Sequence, residues 1–189
     1  METEITVQIY NSIKELDDIL KSKNFVLKER VYMQDWYFSK YSLQELNDFD
    51  YSTLIKNSFL VRKIVDTETK SYLCYKNKVL DKNGNVIAEE KTSCPILDTE
   101  KCLQILKDAN LINWCNLEQD MLVYSNNNMC FAVQIVKDLG IFIEYEEDET
   151  MLDLTEKEKI ELMYNNLKSL GLNIGTDFNC KKVYLKFKK

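Results

Sequence analysis

Alternation with a period of two recurs along this chain, and it limits the fold to one built mainly on strands with one face turned inward. In EITVQIY, Ile5, Val7 and Ile9 fall on one side and Glu4, Thr6, Gln8 and Tyr10 on the other. Strand-like runs follow from Val26 to Phe38, in FLVRKIV, in SYLCYKNKV and, after a turn at DKNGN, in VIAEEKTSC. Three more run from Trp114 to Tyr124, Met129 to Val136 and Ile141 to Glu147, with SNNN as the turn between the first two.

Helical spacing is confined to the intervals between these groups. Ser12 with Glu15 forms a capping box before Ile13, Leu16, Ile19 and Leu20. Thr155 with Glu158 forms another, opening a helix with Ile160, Leu162, Met163 and Leu167 inward that ends near Gly171. Pro95, the only proline, stops a strand, and Asp98 or Thr99 can cap a helix that turns Cys102, Leu103 and Leu106 inward. The polar stretch from Ser39 to Asn57 reads as a loop with one helical turn around LQELN. The lysine-rich KKVYLKFKK reads as a solvated edge strand. Strand groups separated by helices, with no βαβ alternation, are the pattern of an antiparallel α+β architecture, and 189 residues fit one domain.

Composition narrows the chemistry. The chain has no histidine, which excludes Ser-His-Asp and Cys-His nucleophilic machinery, HExxH zinc sites and any histidine general base. Carboxylates, lysines, tyrosines and hard, oxygen-binding cations remain. With four glycines, neither a dinucleotide-binding turn nor a Walker loop can be built, so a phosphate must be held by side chains. A net charge of -6 argues against nucleic acid or an anionic membrane as partner. No apolar run approaches the roughly 18 residues of a membrane-spanning helix. The six cysteines form no CxxC pair and read as reduced thiols, so a cytoplasmic location is expected.

In IFIEYE the alternation places Phe142, Glu144 and Glu146 on one face, with the two glutamate Cα atoms about 6.5 to 7 Å apart. Both side chains could reach one cation, and Mg²⁺ typically uses one or two protein carboxylates plus phosphate oxygens. The alternative is a solvated acidic strand end, since Glu147, Asp148 and Glu149 follow directly. Arg62 in FLVRK and Lys76 in YLCYK are basic groups within apolar strands, where charge is costly unless paired. Each can serve as a phosphate contact or snorkel to the rim of the sheet.

The order of these segments resembles the CYTH superfamily of class IV adenylate cyclases, thiamine triphosphatases and inorganic triphosphatases. Its pattern opens on an ExExK strand, continues through a YF-containing strand, an ALRIR-like strand and a YLTYK-like strand, and closes on LGxFxExE. This chain has EITVQ, QDWYF, SFLVR, YLCYK and LGIFIEYE in that order, spanning nearly its whole length. The resemblance implies one domain over residues 1–189, an eight-stranded antiparallel β-barrel with flanking helices, forming a tunnel in which basic residues hold a triphosphate and acidic residues bind Mg²⁺ or Mn²⁺. Carried over by position, Glu4, Glu144 and Glu146 would be the metal ligands and Arg62 and Lys76 the phosphate contacts. Thr6, Gln8 and Leu60 stand where the family has a glutamate, a lysine and an arginine. Gln119 and Met121 stand at the usual basic pair, and Gln134 at an aspartate. Each lost charge-assisted phosphate contact is worth about 1.5–3 kcal/mol, so weakened triphosphate affinity is expected.

Two functions follow from the resemblance. The first is a metal-dependent enzyme acting on a nucleoside or other triphosphate, by cyclisation or by hydrolysis, with weak activity. The second is a catalytically eroded module on the same fold that binds a phosphate-containing or other anion without turnover. The sequence does not choose between cyclisation and hydrolysis, nor between a monomer and a homodimer.

Overall fold

A computed structural model of the chain describes residues 3–80 and 86–189. The turn expected at DKNGN lies outside the described residues. In chain order the elements are β1 (Glu4–Ile9), α1 (Ile13–Ser22), β2 (Val26–Ser39), α2 (Leu43–Asn47), α3 (Tyr51–Lys56), β3 (Phe59–Val65) and β4 (Thr69–Leu80). They continue with β5 (Val86–Pro95), α4 (Thr99–Asp108), β6 (Ile112–Ser125), β7 (Cys130–Val136), β8 (Gly140–Glu146), a 3-10 turn (Glu149–Met151), α5 (Glu156–Ser169) and α6 (Lys182–Phe187). The strands form one eight-stranded antiparallel sheet in the order β1-β8-β7-β6-β2-β3-β4-β5. Among the described residues no helix is long and apolar enough to cross a membrane.

The chain divides into two compact units, one of Met1–Val31 with Gln119–Cys180 and one of Tyr32–Glu118 with Lys181–Lys189. In the first, the inward residues of β1 (Ile5, Val7, Ile9) meet Phe131 and Val133 of β7 and Ile143 and Tyr145 of β8. Leu16 and Leu20 of α1 and Met163 and Leu167 of α5 complete that core. Both capping boxes form: Glu15 Oε2 accepts from Ser12 N at 2.8 Å, and Glu158 Oε2 from Thr155 N at 2.8 Å. These bonds satisfy amide donors that a helix start leaves without partners. Leu162, expected inward, is 37% exposed, and Ile13 is 52% exposed. The inward stripe of α5 is therefore narrower than its apolar content suggests, centred on Met163 and Leu167.

The outer edge of β1 is also occupied. Tyr10 N donates to Asn173 O, Gly175 N to Gln8 O and Thr6 N to Phe178 O, each at 2.8 Å, and Cys180 N to Thr6 O at 2.9 Å. The segment over residues 173–180 thus uses the backbone groups that a further strand would need. No ladder joins β1 to β5 among the described residues.

In the second unit, Phe38 of β2 and Val61 of β3 pack with Leu103 and Leu106 of α4, which Asp98 caps through its bond from Lys101 N at 3.0 Å. The stretch read as a loop holds two short helices. Ser42 and Glu45 close a third capping box on α2, and Asp50 caps α3. The lysine-rich end is a helix, α6, rather than the expected edge strand. Val183 is buried, the Phe187 ring lies 5.0 Å from Trp114, and Lys188 Nζ donates to Asn47 O. Val183 and Phe187 are four residues apart, the spacing of one helical face, and the burial of Val183 with the Phe187–Trp114 contact overrides the local β-like alternation.

Candidate functional site

Register in the first unit decides which side chains share a face. Glu4 pairs with Glu146, Thr6 with Glu144 and Gln8 with Phe142, while Ile5 pairs with Tyr145 and Val7 with Ile143. The second set builds the core, so alternation sends Glu4, Glu144 and Glu146 to the opposite face. There one carboxylate oxygen from each lies within 4.8 Å of the other two. Glu144 is half-buried, and Glu4 and Glu146 are exposed.

Glu147 and Asp148, which follow the trio, have partners of their own. Glu147 accepts from Lys159 Nζ at 2.6 Å, with both side chains nearly nine-tenths buried. The Lys159 bond, together with Thr3, holds the Glu147 carboxyl down to about 2. Asp148 Oδ1 accepts from Thr150 N at 2.9 Å and caps the 3-10 turn.

Neutral residues extend the same face. Met121 pairs with Gln134, Gln134 with Phe142, and Gln119 with Val136. Thr6, Gln119 and Gln134 are 8%, 6% and 2% exposed. Among the described residues Gln119 Oε1 is buried with no hydrogen-bond partner, which costs about 1–3 kcal/mol unless a donor reaches it. Gly140 has φ +141°, a backbone conformation that favours glycine, and the flexible Gln8 amide lies over it, 2.8 Å from where a Cβ would stand.

The second unit carries the basic residues. Asp35 of β2 pairs with Arg62 of β3, and Arg62 with Tyr72 of β4. Arg62 donates through Nε to Asp35 Oδ1 at 2.8 Å and through Nη2 to Asp35 Oδ2 at 2.6 Å. The side chains are 20% and 3% exposed respectively. Burial works against the guanidinium charge, but the Asp35 carboxylate outweighs it and the Arg62 pKa rises. The fork is thus already partly committed, with the Nη1 edge of the planar group outside both bonds. Lys76 lies two residues beyond Cys74 on β4, on the same face as Leu60 and Arg62. Burial pushes the Cys74 thiol up, against the pull of Lys91, Arg62 and Lys76. Burial likewise pushes the Tyr37 phenol well up, with Asp35 adding to it.

Glu4, Glu144 and Glu146 are therefore brought together in one unit, and Arg62 and Lys76 share a sheet face in the other. Asp35 and Lys91 were not singled out from the sequence. A signal for Asp35 exists: it interrupts the inward series Val31, Met33, Tyr37 with a charge. Lys91 has none, because only the β4–β5 register places it opposite Lys76.

No family model matches the chain, and no curated protein matches it in sequence. Solved structures do match. A protein of Pyrococcus horikoshii is 17% identical with a TM-score of 0.66, over 100% of this chain and 98% of that one. An adenylyl cyclase candidate from Hippeastrum, described as having a dominant triphosphatase activity, is 14% identical with a TM-score of 0.65, over 100% and 95%. A candidate adenylate cyclase from Vibrio parahaemolyticus is 14% identical with a TM-score of 0.60, over 100% and 98%. The chain has the fold of these proteins. That likeness covers the whole of this chain.

Proposed function

We propose that this protein is a metal-dependent enzyme of weak activity acting on the phosphoanhydride chain of a nucleoside or other triphosphate, within a single CYTH-like domain over residues 1–189 whose sheet serves as a triphosphate tunnel. The observation that carries this is the convergence of Glu4, Glu144 and Glu146 within 4.8 Å on the face turned away from the core. Like charges so placed repel one another, and a hard divalent cation relieves the repulsion. An all-carboxylate donor set suits Mg²⁺ or Mn²⁺ rather than zinc or copper. Bound there, the ion would supply charge neutralisation at phosphate oxygens and their orientation for in-line attack.

The protein's own groups account for the rest. Lys76, and Arg62 through its remaining N–H groups, would donate to phosphate oxygens and stabilise the charge that grows on the leaving phosphate. Asp35 fixes the Arg62 plane, so the guanidinium presents one edge without searching rotamers. The nucleophile is water for hydrolysis and a ribose hydroxyl for cyclisation. The chain holds no histidine, so a carboxylate or solvent must accept its proton.

A second function has its own support: a module that binds an anion without turnover. Thr6, Gln119 and Gln134, buried and uncharged, occupy positions where the resembling enzymes carry charge. Buried amides recognise by hydrogen bonding rather than by neutralisation.

A thermal-shift titration with ATP, thiamine triphosphate and tripolyphosphate, each with and without Mg²⁺ or Mn²⁺, tests both. Stabilisation that needs the metal, together with phosphate release or cyclic nucleotide formation, supports the enzyme. Metal-independent stabilisation without turnover supports the binding module. No response to any triphosphate defeats both.

A further inference from the structure

Gln119 of β6 pairs with Val136 of β7, and Val136 with Gly140 of β8. Gly140 and Glu144 stand an even number of positions apart on β8, so alternation puts Gln119 on the sheet face that carries the carboxylate trio. It lies two strands across and two side-chain rows along from Glu144, a separation of roughly 16 Å at about 4.8 Å per strand and 3.3 Å per residue. Among the described residues Gln119 is 6% exposed, and its Oε1 is buried without a hydrogen-bond partner. Its cross-strand neighbours Val136 and Gly140 carry no side-chain donor. Met121, the next residue along the same face, is half-buried, and its unbranched side chain is the neighbour placed to give way when a ligand enters.

We propose that Gln119 is a specificity-determining residue whose Oε1 accepts a hydrogen bond from an N–H or O–H group on the organic part of the ligand, so that the site recognises a donor-bearing triphosphate rather than the phosphate chain alone. A buried acceptor is satisfied only by a donor. At pH 8 phosphate oxygens are ionised and are themselves acceptors, so the phosphate chain does not meet that need. The separation from the trio fits the same division. Phosphates held beside the metal ligands leave the organic end to extend along the face towards Gln119. A ligand without the donor would fill the site and leave Oε1 unpaired, which is what makes such an acceptor selective. The inference rests on the proposed triphosphate function and names the class of triphosphate, but it does not depend on turnover.

The test is calorimetric titration of the full chain at pH 8, with Mn²⁺ and again in EDTA, using ATP and tripolyphosphate. The proteins are the wild type, Gln119→Met and the control Gln104→Met, whose amide donates to Asp108 in the second unit. Gln119→Met nearly keeps the volume and removes the acceptor. It is expected to weaken ATP binding by about five- to tenfold, the scale of one hydrogen bond, with tripolyphosphate unchanged within about twofold. Its ligand-free melting temperature is expected to hold or rise, because an unpaired buried atom is gone, whereas loss of a purely structural residue would lower it. Purine riboside triphosphate lacks the adenine amine and 2′,3′-dideoxy-ATP lacks the ribose hydroxyls, so the one missing the donor should bind wild type and Gln119→Met alike. A variant that loses ATP and tripolyphosphate equally, or loses neither, overturns the proposal. So does a loss as large for both analogues as for ATP, or a wild type that fails to bind ATP in either condition. Selective loss of ATP without any Mn²⁺ response or turnover removes the metal-dependent enzyme and keeps the Gln119 contact. Mn²⁺-dependent turnover with unchanged selectivity does the reverse.

Discussion

Removing the Asp35 carboxylate should expose how the second unit tolerates its buried charge. Asp35 is 3% exposed and Arg62 20%, and two bonds of 2.8 and 2.6 Å join them across adjacent strands. Asp35→Ala leaves a guanidinium that water reaches only in part. Deleting one partner of a buried pair costs ~3–5 kcal/mol, and the residual exposure of Arg62 places this case near the lower end, at ~3 kcal/mol. For a chain of this length that corresponds to a fall in melting temperature of about 6–12 °C. The internal control is Asp120→Ala, which breaks the Arg30–Asp120 pair, whose side chains are 68% and 37% exposed. That loss should stay below about 1 kcal/mol. Urea unfolding at neutral pH measures both, and the double variant Asp35→Leu, Arg62→Met should recover most of the loss because it removes both charges together. Tripolyphosphate should raise the stability of Asp35→Ala by more than that of the wild type, since the guanidinium gains a new counter-charge. If Asp35→Ala costs no more than Asp120→Ala, the pair is not a buried anchor, and its role in orienting Arg62 falls with it.

The Glu147 carboxyl is held down to about 2 by Lys159 and Thr3, so the stability it contributes is fully present above its ordinary value near 4.5 and disappears as pH falls towards 2; urea unfolding at pH 6, 4.5 and 3 should show a steeper acid loss for the wild type than for Glu147→Gln. Burial pushes the Cys115 thiol up to about 12 and also raises Cys74. Iodoacetamide at pH 8 should therefore label the exposed Cys94 and Cys130 in the native protein and reach Cys74 and Cys115 only after unfolding, as read by peptide mass spectrometry. Thr6 lies directly across from Glu144 at 8% exposure. Thr6→Glu should lower ligand-free stability by ~1–2 kcal/mol through added repulsion and enlarge the melting shift given by Mn²⁺. An unchanged Mn²⁺ shift in that variant would count against a cation at the trio.

What could be read from the sequence was what depends on near neighbours. Period-two alternation placed Glu144 and Glu146 on one side of β8, because a strand's inward set is decided once one face is apolar, whereas Glu4 of β1 was joined to them only through the resemblance. Capping boxes at Ser12 and Thr155 located two helix starts to the residue. Partners distant in the chain were not legible. Asp35 and Arg62 are 27 residues apart, and only the β2–β3 register joins them. The end of the chain misled for another reason: VYLKF alternates like a strand, but burial of Val183 and edge-to-face packing of Phe187 against Trp114 decide for a helix. Occupation of the β1 edge by residues 173–180 left no local trace either, being made of backbone bonds.

The charges this chain carries differ in cost, and the difference says where function is most exposed to test. Glu4 and Glu146 are exposed and Glu144 half-buried, so water screens their repulsion and the trio is cheap to keep. The interior positions of the same face are uncharged, at Thr6, Gln119 and Gln134, where an unpaired ion would cost several kcal/mol. In the second unit Leu60 and Cys74, each 2% exposed, line the face beside a buried Arg62. Asp35 relieves the Arg62 charge within the protein through two hydrogen bonds. Loss of a single charge at Arg62 or Lys76 in the second unit, as much as at the acidic trio of the first, should therefore separate a phosphate-binding protein from a fold that has only kept its shape.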